Sequence, residues 1–147
     1  MKILIKDRQR RRHLNKDRII RASRRILSHL NQPKAELSIL FVGDKKMARL
    51  NAAYRGVHKT TDVLSFEAVI PVKKGEAQHV LGDIVISVPR AEFQAKEYSL
   101  GLYEEIRRLL IHGILHLLGY DHERSVYYEK TMKKKEQEIF HATQEMD

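Results

Sequence analysis

The sequence contains no cysteine. This absence excludes disulfide bonds, thiolate catalysis and any zinc finger that binds its metal through cysteine. No apolar stretch approaches the ~20 residues that a helix needs to cross a bilayer. The first seven residues also lack the apolar segment and small-residue cleavage site of a signal peptide. We therefore expect a cytoplasmic protein with no membrane partner and no disulfide partner.

Basic residues are concentrated at the N-terminus. The chain of 147 residues has a formal net charge of +9, and residues 1–25 alone carry +9, with eleven Lys and Arg against two Asp. Such a concentration predicts a polyanionic partner, with nucleic acid first and an anionic membrane surface second. Arg21, Arg24 and Arg25 are the predicted RNA-binding residues of this region. The alternative is a solvated helix face that only aids solubility.

The order of the predicted elements is β-α-β-α-β-β-α-α-α. With 42% hydrophobic and 32% charged residues, residues 1–147 are predicted to form a single globular domain. This order indicates an α/β (α+β) fold, with a mixed sheet of about four strands packed against helices. A helix over about 102–118 is apolar almost all round in its second half, so it should be central and buried. Residues 71–78 are predicted to form a mobile loop.

Three histidines on and after this helix share a characteristic spacing. His112 and His116 are four residues apart, which places them one turn apart on the same helix face. Gly119 predicts the end of the helix, because glycine enters the left-handed region without a Cβ clash. The chain can then turn back and bring His122 to the same point. Three neutral imidazoles facing one ion favour one Zn²⁺ per chain and leave a fourth position for water.

The same spacing occurs in one class of zinc proteases, with one difference. The proteases place a glutamate directly after the first histidine as a general base, and this chain has Gly113 there. Peptide hydrolysis by that mechanism is therefore not indicated. A single histidine in an apolar helix is more often a hydrogen-bonded core residue, but three at this spacing favour a metal site.

Zinc held by three histidines can promote hydrolysis of an ester, an amide or a phosphodiester. The basic N-terminal region favours the phosphodiester, and arginine binds phosphate through two parallel hydrogen bonds. Arg55 is the candidate for this role, because it stands at a predicted helix end before a loop. The alternative is a cation that only stabilises the helix C-terminus.

Four motifs in order resemble the YbeY family of bacterial rRNA maturation factors. The motifs are Asn51-x-x-Tyr54-Arg55-Gly56, Thr61–Phe66, Leu81–Ser87 and His112–His122. The resemblance covers about residues 35–139, and the N-terminal third matches only in outline. Thr60 and Glu67 depart from the family pattern, since many members have proline at these positions. Both lie beside a motif, where they can alter loop stiffness.

The resemblance implies a metal-dependent endoribonuclease that cleaves single-stranded RNA. It implies a role in the maturation and quality control of ribosomal RNA, with the small ribosomal subunit as a partner. The metal-binding histidines of the family correspond to His112, His116 and His122, and its functional arginine corresponds to Arg55. His116 and Arg55 are thus the predicted catalytic residues.

Two carboxylates within the motifs, Asp121 and Asp83, are predicted to lie behind the metal-binding histidines. Asp121 would orient a histidine or cap the turn, and the alternative for Asp83 is a buried, hydrogen-bonded carboxylate. Neither is identified as a general base. An activated water can attack the phosphate, with Arg55 stabilising the charge that develops on it.

Two other functions fit the same residues. One is an RNA- or ribosome-associated binding factor whose zinc is structural, which requires a fourth protein ligand. The candidates for that ligand are His58, His79, Asp83 and Asp121. The other is a metal hydrolase of small esters, amides or peptides, which the protease-like spacing favours and which Gly113 and the basic N-terminal region disfavour.

Overall fold

The computed structural model of the chain describes residues 1–68, 79–120 and 126–144, which form four strands and five helices. The strands are β1 (Lys2–Asp7), β2 (Ala35–Val42), β3 (Val63–Glu67) and β4 (His79–Ser87). The helices are α1 (Lys16–His29), α2 (Asp44–Arg55), α3 (Val88–Glu97), α4 (Leu102–Leu117) and α5 (Val126–Ala142). The predicted order of elements is confirmed. The loop predicted over 71–78 lies outside the described residues.

The four strands form one mixed sheet in the order β1-β2-β4-β3. β1, β2 and β4 are parallel, and β3 pairs with β4 in the antiparallel sense. Parallel neighbours need a crossover connection, which α1 supplies between β1 and β2. The predicted mixed sheet of about four strands is confirmed, and β1 and β3 are its two edges.

Local signals in the sequence set the helix ends. The side chain of Asn15 accepts a hydrogen bond from the backbone N–H of Arg18 (3.2 Å) and so caps α1. Ser87 caps α3, and Pro89 occupies its first turn, where a missing N–H costs nothing. α2 ends at Gly56, whose φ of 69° lies in the left-handed region. The residue types at Asn15, Gly56 and Pro89 predict helix ends from the sequence alone, and the structure confirms all three.

Alternation along the strands sends side chains to two different cores. Leu37, Ile39 and Ile84 belong to the larger core, which contains α4 and parts of the other helices except α2. On the opposite face, Leu64 and Val85 pack against α2 in a smaller core. Because side chains alternate with a period of two, each face of the sheet carries one of these cores.

Helix α4 is central and buried, as predicted. Leu110, Ile114 and Leu115 are each 0% exposed, and burying each such side chain contributes about 1.5–3 kcal/mol. α4 packs against α1, α3, α5, β3 and β4. None of the described helices is both long and apolar enough to span a membrane.

Helical spacing with Met47 and with Ala91 and Ala95 predicts that Tyr54 and Phe93, respectively, face inward, and this prediction is wrong because both are exposed. Phe93 is 54% exposed, because the inner face of α3 is formed by Ala91 and Ala95 at helical spacing. Tyr54 is 68% exposed, because it lies in the last turn of α2, beyond the buried Met47.

Candidate active-site cleft

A cleft of about 600 Å³ runs along the edge strand β3. Its walls come from three elements: β3 with the two residues before it, the last turn of α2, and the second half of α4. These elements approach from different sides of the sheet. Leu64 and Phe66 face the α2 side, while Ser65 faces α4 and donates a hydrogen bond to the carbonyl of Gly113 (3.3 Å). The cleft therefore wraps around an open edge of the sheet.

Gly113 lets α4 approach the sheet closely. A Cβ atom at this position would lie 2.9 Å from Cδ1 of Ile84 and 3.1 Å from Oγ of Ser65. Both distances are shorter than ordinary van der Waals contact. A glutamate side chain would have to begin in this space, so the packing disfavours the general base of the proteases at this position.

His112 and His116 converge within the cleft, as their spacing predicts. Their Nε2 atoms are 2.7 Å apart, and their ring centroids are 4.2 Å apart with an angle of 61° between the rings. The side chain of His112 is 38% exposed, so a ligand in the cleft can reach it. Two of the three predicted metal ligands are therefore directed at one point. The third, His122, lies outside the described residues, as does Asp121.

A carboxylate that the sequence analysis did not identify holds the first of these rings. Oε1 of Glu136, on α5, lies 2.7 Å from Nδ1 of His112. The position of Glu136 in α5 could have identified it. Met132, Glu136 and Ile139 have the spacing of one helix face, and Met132 and Ile139 are buried. A carboxylate on a buried stripe requires a partner. Because His112 and Glu136 are 24 residues apart, the sequence pattern does not identify His112 as that partner.

The pair of histidines fits a cation. A carboxylate can only accept a hydrogen bond, so His112 presents Nδ1–H to Glu136 and turns the lone pair of Nε2 towards His116. Two ring nitrogens 2.7 Å apart need a proton or a cation between them, since facing lone pairs repel. Tetrahedral zinc places its ligand nitrogens roughly 3.3 Å apart, so a small separation of the rings admits the ion.

The described residues contain no group of three His, Cys, Asp or Glu side chains that could hold a metal. Glu136 does not complete such a group, because it faces Nδ1 of His112 and not the point where the two Nε2 atoms meet. A third ligand from within these residues is thus absent, and His122 keeps that role as a prediction.

Arg55 lines the same cleft as the two histidines. It is exposed in the last turn of α2, just before the left-handed Gly56. Asn51 is 1% exposed and donates from Nδ2 to the carbonyl of Lys59 (2.8 Å), which ties the loop after α2 back to the helix. Arg55, His112 and His116 thus line one cleft, although Arg55 is on α2 and the histidines are on α4.

The loop that joins α2 to β3 is anchored by hydroxyl and carboxylate groups. Oδ1 of Asp44 accepts hydrogen bonds from the hydroxyls of Ser87 (2.7 Å) and Thr60 (3.2 Å). Asp62, which also lines the cleft, accepts one from the backbone N–H of Val63 (2.8 Å). Thr60, which departs from the family pattern, thus restrains the loop through a hydrogen bond where proline would restrain the backbone.

Other predicted site residues lie away from the cleft. Asp83 is exposed and pairs with Phe66 across the strands, on the α2 side of the sheet, so it does not reach the histidine rings. Arg21 and Arg24 are exposed on α1, which packs against α4, β1 and α5, and neither residue lines the cleft. Arg25 is turned inward, and its Nε donates to the carbonyl of Thr143 (3.1 Å).

Comparison with known proteins agrees with the motifs. The family model described as Endoribonuclease YbeY matches residues 4–144. A protein named Endoribonuclease YbeY from Persephonella marina is 44% identical over 142 residues, covering 95% of this chain and 90% of the relative. Proteins of the same name from Aquifex aeolicus and Geobacter metallireducens are 42% and 39% identical, covering 86% and 95% of this chain and 83% and 94% of the relatives.

A solved structure supports the fold. The solution structure of TM1509 from Thermotoga maritima matches with a TM-score of 0.64 at 23% identity, and the match covers 96% of this chain and 88% of that protein. At this identity the similarity establishes the architecture only. Sequence matches over almost the whole chain, on the same fold, establish the family: the chain belongs to the YbeY endoribonuclease family.

Proposed function

We propose that this protein is an endoribonuclease that hydrolyses phosphodiester bonds of single-stranded RNA in the cleft along β3. Its relatives carry the name endoribonuclease, and its predicted role is in the maturation and quality control of ribosomal RNA in the cytoplasm. The observation that carries the proposal is the convergence of the His112 and His116 Nε2 atoms, 2.7 Å apart, in a cleft that also contains Arg55.

In this proposal, His112, His116 and His122 hold one Zn²⁺ per chain. Zinc in such a site supplies Lewis-acid activation of water and of a phosphoryl oxygen. The imidazole donors and the direction of the two described Nε2 atoms support this ligand set. Glu136 keeps the proton of His112 on Nδ1, which leaves Nε2 available as a donor to the ion.

Arg55 is proposed to hold the phosphate. Its guanidinium group is exposed at the rim of the cleft and carries a fixed positive charge with five N–H donors. Two parallel hydrogen bonds to phosphate oxygens would orient the scissile bond towards the histidines. The same charge would stabilise the transition state, in which negative charge on the phosphate oxygens increases.

Arg21 and Arg24 are proposed to contact RNA outside the cleft. They are exposed on α1 and do not line the cleft, so in this proposal they contact a different part of the RNA from the phosphate that Arg55 holds. A long substrate such as ribosomal RNA, in the context of the small subunit, could reach both surfaces. Their contribution would then be to overall affinity and not to the chemical step.

The two alternative functions receive less support. A closed structural zinc site needs a fourth protein ligand; neither His58 nor His79 lines the cleft, and Asp83 faces the other side of the sheet. The fourth candidate, Asp121, lies outside the described residues. Peptide hydrolysis by the zinc-protease mechanism needs a glutamate at position 113, where this chain has glycine and where an added Cβ atom would press against the side chains of Ile84 and Ser65.

The experiment is to measure zinc content and cleavage of an unstructured RNA for the wild type and two histidine variants. His116→Ala should lose bound zinc and cleavage together, by at least roughly 100-fold in rate. His29→Ala is the matched control, because His29 is exposed in α1 and lies away from the cleft. Full cleavage by metal-stripped wild-type protein would overturn the proposal.

A second pair of variants tests Arg55 separately from the metal. Arg55→Ala should retain zinc but cleave roughly 10²–10³-fold more slowly, because a positioned donor to the developing charge is lost. Arg55→Lys should recover only part of the rate, because lysine keeps the charge but not the planar fork of donors. Equal cleavage by all three proteins would remove Arg55 from the mechanism.

A further inference from the structure

Helix α5 carries one carboxylate on its buried face. Met132 is 8% exposed and Ile139 is 0% exposed, and Glu136 lies between them at helical spacing with its side chain 18% exposed. Removing a carboxylate from water in this way is unfavourable unless it gains a strong partner. The partner in the structure is Nδ1 of His112, 2.7 Å from Oε1 of Glu136.

This contact determines what the His112 ring can do. The carboxylate accepts the Nδ1 proton, which fixes the tautomer and restricts rotation of the ring about its χ2 angle. The opposite nitrogen, Nε2, is thereby held towards Nε2 of His116 at 2.7 Å. A negative charge beside the ring also makes the remaining nitrogen a stronger donor to a cation.

We propose that Glu136 is a positioning residue for metal binding and that the docking of α5 against α4 sets the affinity of the site. The inference rests on the proposed function, since it requires that His112 and His116 bind the ion. It assigns a role to a residue 24 positions beyond the first histidine and outside all four motifs. Glu136 itself does not contact the ion or the RNA.

The alternative is an ion pair that only attaches α5. Both roles predict some loss of stability when Glu136 is replaced, so stability does not separate them. Only the positioning role predicts that metal affinity changes with the charge at residue 136 and that the His112 tautomer is lost in metal-free protein. These two quantities are the readouts of the experiment.

The experiment uses full-length, metal-free protein and titrates Zn²⁺ in competition with a chromophoric chelator. Glu136→Ala should weaken zinc binding by roughly 10–100-fold, the range found when a carboxylate behind a metal-binding histidine is removed. Glu136→Gln keeps the size and a hydrogen-bond acceptor but not the charge, so its loss should be smaller. Glu138→Gln is the matched control, because Glu138 is exposed on the same helix, and its affinity should stay within about twofold of wild type.

A second measurement needs no metal. Long-range proton–nitrogen NMR spectra of metal-free protein should show His112 protonated at Nδ1 in the wild type and in Glu138→Gln. In Glu136→Ala the same ring should show averaged shifts of the two tautomers, because no acceptor remains on the α5 side.

Unchanged zinc affinity in folded Glu136→Ala would overturn the inference. Should that variant fail to fold without metal, Glu136→Gln decides the matter, and an affinity within twofold of wild type has the same meaning. His116→Ala distinguishes this failure from failure of the proposed function. If His116→Ala loses zinc while the Glu136 variants keep it, only the role of Glu136 is refuted; if His116→Ala also keeps zinc, the metal site itself is wrong.

Discussion

Gly82→Ala provides a direct test of how β3 is held at the cleft. Gly82 has φ of 141°, a conformation that residues with a side chain rarely adopt. A Cβ atom there would lie 2.1 Å from the carbonyl oxygen of Phe66 and 3.1 Å from Cα of Glu67. These are backbone atoms of β3 and its end, so no rotamer change relieves the contact. The two strands must separate where Glu67 pairs with Gly82.

The loss in the free energy of unfolding caused by Gly82→Ala has two main parts. The backbone conformation costs about 1–3 kcal/mol for a non-glycine residue, and the overlap costs about 1–3 kcal/mol more. Alanine recovers about 0.4–1 kcal/mol, because it reduces the entropy of the unfolded chain. The net loss in the free energy of unfolding is therefore about 1–5 kcal/mol, with the upper part of the range favoured by the 2.1 Å distance.

Thermal and urea unfolding of metal-free protein measure this loss. For a chain of this size the melting temperature should fall by roughly 3–15 °C. Gly43→Ala is the comparison, since an added Cβ atom there would meet nothing within 4 Å and only the N-cap preference of α2 for glycine over alanine is lost, which costs roughly 0.5–1 kcal/mol. A melting temperature for Gly82→Ala within roughly 2 °C of that of Gly43→Ala would refute the argument that Gly82 permits the close approach of β3.

Three further changes test other parts of the structure. Gly113→Ala gains about 0.5–1 kcal/mol of helix propensity but pushes against buried Ile84 at a cost of about 1–3 kcal/mol, so urea unfolding should show a net loss. Asn51→Ala removes the hydrogen bond from the Asn51 side chain to the carbonyl of Lys59 in the loop after α2. Hydrogen exchange of the loop amides should become faster, and unchanged exchange would show that this hydrogen bond does not hold the loop. The double change Arg21→Glu and Arg24→Glu should weaken RNA binding and reduce the salt dependence of log Kd, and an unchanged slope would assign this surface to solubility.

Periodicity and capping residues predicted most of the fold. The elements follow from apolar spacing, and the helix ends at Asn15 and Gly56 follow from local backbone chemistry. The prediction that Tyr54 and Phe93 face inward is wrong. The burial of a residue near a helix end, or at the margin of an apolar face, depends on where the neighbouring elements end. That information is tertiary and is absent from the local pattern.

The candidate site was predictable to a similar extent. The i, i+4 spacing of His112 and His116 determines their relative position, since both stand on one helix. Arg55 lines the same cleft because the end of α2 lies at the edge of the sheet beside β3. The family resemblance implied a functional role for Arg55, whereas the spacing of residues along the chain could not predict that it lies in this cleft. Glu136 was missed, because a carboxylate in a helix rich in lysine looks like part of a solvated surface. His122 and Asp121 lie outside the described residues and stay predictions.

The contact between α4 and α5 has a consequence for synthesis of the protein. Translation produces His112 and His116 before it produces Glu136, so a nascent chain carries the histidine pair without the carboxylate that orients it. The first ring acquires its fixed orientation only after the last helix has emerged and folded back. A chain that lacks α5 therefore has all the elements that form the walls of the cleft, but not the carboxylate that contacts Nδ1 of His112.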